Sequence, residues 1–133
     1  MLRYPAVVVH GLEDARTALA EGVPVTLISA PGAALYAGCL WWREIVAQAR
    51  CEYSSTPAVD VLDCADGSGQ ALAALRIGQQ LVVLAADAPG WAEVAVIAAE
   101  RGGAVLAERP PTLDLAMGGA GRRLSEWLRS ESP

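Results

Sequence analysis

The sequence predicts an α/β protein: an open, mostly parallel five-stranded sheet with helices on both faces, a flavodoxin-like or Rossmann-like three-layer sandwich. Five short apolar runs recur along the chain, each closed by a turn and followed by a helix-like pattern. The runs are nearly continuous Val/Leu stretches rather than clean alternations, as in strands covered on both faces, which is the rule for parallel sheets. Strands alternating with helices of this length imply right-handed βαβ units. Five units are too few to close an eight-stranded barrel alone, although a half-barrel that pairs with a second chain is an alternative.

The elements follow from run length, breakers and period. The first strand is 6–10, and its helix 13–21 shows Leu12, Ala15 and Leu19 on one face before Gly22. Pro24 opens the second strand, 25–29, and Pro31-Gly32 turns into one long helix reaching about Glu52. The third strand is 58–64, and Asp66-Gly67-Ser68-Gly69 leads into a helix over 70–77. The fourth strand, 81–86, precedes a turn at Pro89-Gly90, a helix over 91–101 and a fifth strand, 104–107. Beyond Pro110-Pro111 comes a tail with a last amphipathic turn, Leu124, Trp127 and Leu128, expected to pack across the sheet edge or onto a partner. No linker or low-complexity segment divides the chain, so residues 1–133 read as one domain.

Composition narrows the function classes. Apolar residues at 53% and charged residues at 19% describe a folded chain. A net charge of −5 with no basic run argues against nucleic acid and anionic membrane surfaces as partners. All ten basic residues are Arg, in keeping with a GC-rich bacterial genome. Without Lys there is no Schiff-base chemistry and no phosphate-loop ammonium, so a fixed anion must be held by Arg or backbone N–H groups. Cys39, Cys51 and Cys64 form no C-x-x-C pair. Cys39 and Cys51, on one helix, would stand about 18 Å apart, so three small, buried and reduced cysteines in a cytoplasmic protein are expected. Met1-Leu2-Arg3-Tyr4-Pro5 does not read as a signal peptide, and no apolar run is long enough to span a membrane.

In an open α/β sheet, ligands bind outside the carboxyl ends of the strands. The residues just past each strand are therefore the candidates. His10, the only histidine, could act as general acid or base, because an unperturbed imidazole titrates near neutrality. Asp63 and Asp66 bracket the end of the third strand and could divide acid and base roles, with Asp66 also suited to an N-cap. Asp60 interrupts an apolar strand and would sit on an edge or meet an Arg such as Arg76. Ser29 and Gly32 after the second strand, and Gly67-Ser68-Gly69 before a helix, are candidate ligand-binding residues, the latter as a backbone cradle for phosphate. Gly118-Gly119-Ala120-Gly121-Arg122-Arg123 is a second anion candidate. No G-x-S-x-G elbow, phosphate loop, dinucleotide fingerprint or zinc spacing is present. The sequence names no cofactor and supports no metal site.

The second helix carries no charge from Ala33 to Trp42. Leu35, Cys39, Trp42 and Val46 can form its sheet-facing stripe, leaving Tyr36, Leu40 and Trp41 beyond it. These three are the expected interface of a homodimer, unless the C-terminal turn covers them. The expected function is a non-catalytic module that binds a small, anionic metabolite and works as a homodimer. Two alternatives stand beside it: a small enzyme using His10 with Asp63 or Asp66, and a structural subunit of a larger assembly.

Overall fold

The computed structural model describes residues 2–130; Met1 and residues 131–133 of the expected 1–133 domain lie outside it. Its strands are β1 (Ala6–Val8), β2 (Val25–Ile28), β3 (Ala58–Asp63), β4 (Leu81–Val83), β5 (Ala104–Leu106) and β6 (Thr112–Asp114). Its helices are α1 (Leu12–Ala20), α2 (Ala33–Tyr36), α3 (Cys39–Glu52), α4 (Ser68–Arg76), α5 (Trp91–Glu100) and α6 (Ala120–Arg129). The strand order is β5-β4-β3-β2-β1-β6. The α/β class and the parallel sheet flanked by helices are as the sequence predicts. The strand count is not: among the described residues the sheet has six strands rather than five.

The sixth strand corrects the reading of the tail. Thr112, Leu113 and Asp114 pair in parallel with Ala6, Val7 and Val8. Three residues with one apolar member give no period to read, and the partner strand lies about a hundred positions away in sequence. The second correction concerns the long helix, which is two helices. Gly38 takes a left-handed φ of 88° between them, a conformation that strains any residue with a Cβ. The break turns Leu35 out of the expected stripe, and it is 46% exposed. The stripe that is buried on α3 is Trp42, Val46 and Ala49, spaced four and three residues apart as one helical face requires.

The described residues divide into two compact units: those up to Ile28 with Glu44–Asp60 and those from Pro110 onward, and Ser29–Arg43 with Val61–Arg109. In the first, β2, β1 and β6 are consecutive parallel strands. Val7, Val25, Leu27 and Ile28 are fully buried in them, each side chain contributing about 1.5–3 kcal/mol by leaving water. Arg16 of α1 grips both oxygens of Glu52 (2.7 and 2.9 Å) and reaches Glu13 at 2.8 Å, tying α1 to the end of α3. The tail beyond β6 is a full helix whose buried face is Ala120, Leu124 and Leu128. Trp127 lies beside that face and donates its indole N–H to the Ala6 carbonyl at 2.9 Å.

In the second unit β3, β4 and β5 are consecutive parallel strands. Both crossovers step the same way, so right-handed connection puts α4 and α5 on one face, where they pack together. Leu62, Leu75, Val82 and Leu84 form the buried centre of this unit. Gly103 permits a close crossing: a Cβ there would stand 1.9 Å from the Gln80 carbonyl oxygen.

Candidate functional site

In the second unit, the carboxyl ends of β3, β4 and β5 open into a cleft of about 420 Å³. Its walls are small and apolar, from Pro31, Ala65, Val83, Ala85 and Ala107, and its polar lining is Gly32, Asp63, Glu108 and Arg109. The volume falls in the range of sites that hold small metabolites.

Asp63 organises this cleft. As the last residue of β3 its side chain is only 5% exposed. One carboxylate oxygen accepts the Gly32 N–H at 3.0 Å and the Ala65 N–H at 2.8 Å; the other accepts Arg109 Nη1 at 2.8 Å. Gly32 and Ala65 both have positive φ, 69° and 50°. For alanine that conformation costs roughly 1–2 kcal/mol. The carboxylate thus holds two left-handed turns in place, and backbone strain of this kind collects at binding and catalytic sites. Ser29 is buried behind it: its hydroxyl accepts the Asp63 N–H at 2.9 Å and donates to the Ala30 carbonyl.

Arg109 closes the arrangement. A single nitrogen, Nη1, donates both to Asp63 and to the Ser29 carbonyl at 3.0 Å. Its Nη2 and Nε make no hydrogen bond among the described residues. Glu108, exposed beside it, forms no ion pair among them either. Sequence reasoning missed both residues. The rule that nominated the residues past each strand reaches Glu108-Arg109 when carried to the fifth.

Asp66 is exposed, and the residue at the N-cap of α4 is Gly67, with no side-chain cap bond. The Gly67 N–H donates to the Cys64 carbonyl at 2.8 Å, and a Cβ on Gly67 would stand 2.6 Å from Leu35 Cδ2. The space beside this glycine is thus filled by side chains. The Ser68 hydroxyl donates to the Pro89 carbonyl, while Gly69 is exposed with open space around it. Gly119 caps α6 with a left-handed φ of 82° and no side-chain bond, with Arg122 and Arg123 exposed. Asp60, nearly buried, meets Arg50 at 3.6 Å rather than Arg76. Of the three cysteines expected to be buried only Cys64 is, since Cys39 is half-buried and Cys51 is exposed on α3. For Cys64, burial first, then the nearby Asp63 charge and Cys39, pushes its thiol up to about 12.

His10 belongs to the first unit, just past β1, and its partner is Asp114, the last residue of β6. Nε2 lies 2.7 Å from Asp114 Oδ1, which also accepts the Ala116 N–H at 2.9 Å. The His10 N–H donates to Asp14 Oδ2 at 2.9 Å. Strand order reverses at β1, so the pair sits where open sheets form a ligand crevice. Asp114 was illegible as a site residue because its strand was.

Among the described residues, no group of three or more His, Cys, Asp and Glu could hold a metal ion, and no helix is long and apolar enough to cross a membrane. The chain matches no known protein-family model and no curated protein.

Proposed function

We propose that this protein is a small-molecule binding module that holds the acidic group of a metabolite in the cleft of its second unit. The observation that carries this is the half-used guanidinium of Arg109. One nitrogen is fixed by Asp63 and Ser29, which preorganises the group, while Nη2 and Nε are left for a carboxylate or phosphate. A planar fork already held in place loses little freedom on binding. Binding is favoured over acid–base catalysis because both Asp63 oxygens are occupied by three donors, leaving the carboxylate a brace.

The module is proposed to act as a cytoplasmic homodimer. Its three cysteines are free, which suits a reducing compartment. Tyr36 and Leu40 are 72% and 67% exposed and Trp41 is half-buried, so an apolar face in the second unit is left for a partner.

The test is an amide NMR titration with 4-methylpentanoate, and with inorganic phosphate as a second probe. Shifts should concentrate at Gly32, Ala65 and residues 107–109. They should vanish in Arg109→Lys, which keeps the charge but loses the fork. Unchanged shifts in that variant, or no shifts with either probe, refute the reading.

A further inference from the structure

The charges lining the same cleft define its occupant more closely, given the binding role proposed for Arg109. The lining holds two carboxylates, Asp63 and Glu108, and one guanidinium, so it is net negative. Asp63 already compensates Arg109 at 2.8 Å. A ligand carrying only negative charge would therefore leave Glu108 without a counter-charge. Glu108 has no partner among the described residues, and it lines the same small cleft as Arg109. An α-amino acid carries its carboxylate and ammonium on one carbon, so a single small ligand offers a charge to each. The remaining walls, Pro31, Val83, Ala85 and Ala107, suit an aliphatic group.

We infer that the cleft binds a zwitterion of the α-amino acid class, its carboxylate on the open edge of Arg109, its ammonium on Glu108 and its side chain against the apolar wall. This rests on the Arg109 reading. The expectation of a simply anionic ligand is thereby narrowed: the acidic group stays and a cationic group joins it.

Three matched probes separate the parts: L-leucine, 4-methylpentanoate, which lacks the ammonium, and 3-methylbutylamine, which lacks the carboxylate. Affinities are read by amide NMR on the intact chain and on Glu108→Gln, an exposed and conservative change. L-leucine should bind about tenfold more tightly than 4-methylpentanoate, as one charge-assisted hydrogen bond allows. Glu108→Gln should erase that difference and leave 4-methylpentanoate binding no weaker. If L-leucine and 4-methylpentanoate bind the natural chain equally, the zwitterion inference falls while the Arg109 reading stands. If 3-methylbutylamine binds as well as L-leucine, or none of the three binds, the Arg109 reading falls with it.

Discussion

Replacing Asp63 by alanine tests whether the cleft is held together by one carboxylate. The side chain is 5% exposed and takes three hydrogen bonds, two from the backbone of Gly32 and Ala65 and one from Arg109. Hydrogen bonds to a charged group contribute roughly 1.5–3 kcal/mol each, and removing one side of a buried ion pair costs about 3–5 kcal/mol. Gly32 and Ala65 line an open cleft, so water can reach the freed N–H groups and reduce the loss. Arg109, 23% exposed, can likewise turn toward water. The expected cost of Asp63→Ala is therefore about 4 kcal/mol, a large part of the 5–15 kcal/mol typical of a domain. With a urea slope of about 2 kcal/mol/M, the midpoint should fall by about 2 M. Asp63→Asn keeps an acceptor for the two backbone donors but loses the Arg109 ion pair and hydrogen bond, so it should cost less than Asp63→Ala and remain folded for measurement. A loss below about 1 kcal/mol in Asp63→Ala would refute the brace, since three hydrogen bonds to a charged group would then contribute almost nothing.

Two further outcomes are expected. Sedimentation should show a dimer at tens of micromolar, and Trp41→Glu should sediment as a monomer with unchanged far-ultraviolet dichroism, because a charge buried there without a partner is costly; a natural chain that is already monomeric ends the dimer proposal. The Cys64 thiol should make stability fall in alkali: with its folded value at about 12 against an ordinary thiol near 8.5, the unfolded chain releases the proton first, so the contribution is complete below about pH 8.5 and is lost as pH rises toward 12. The loss is roughly 1.4 kcal/mol per pH unit within that window, and urea midpoints of Cys64→Ala should fall less steeply between pH 9 and 10.5 than those of the natural chain; parallel slopes would refute the assignment.

The sequence by itself determined the class of fold. Continuous runs such as Val25–Ile28, punctuated by Pro24 and Pro31-Gly32, mark buried parallel strands because local composition, breakers and period all agree there. It also determined which of the adjacent indoles faces the sheet: Trp42 is fully buried while Trp41 is partly exposed. Neighbours on a helix point about 100° apart, which is a local fact. Tertiary structure decided what depends on partners distant in sequence. Thr112–Asp114 becomes a strand only through β1, and His10 finds Asp114 only because that strand exists. Asp63 was visible as a carboxylate at a strand end, yet its role as a brace depends on Arg109, 46 positions away. Gly38 could have stood inside a helix or ended one, and in the folded chain it lies between two, with a left-handed φ. Local signals name elements and the ends where sites form; which side chains meet there is set by strand order, which no local signal carries.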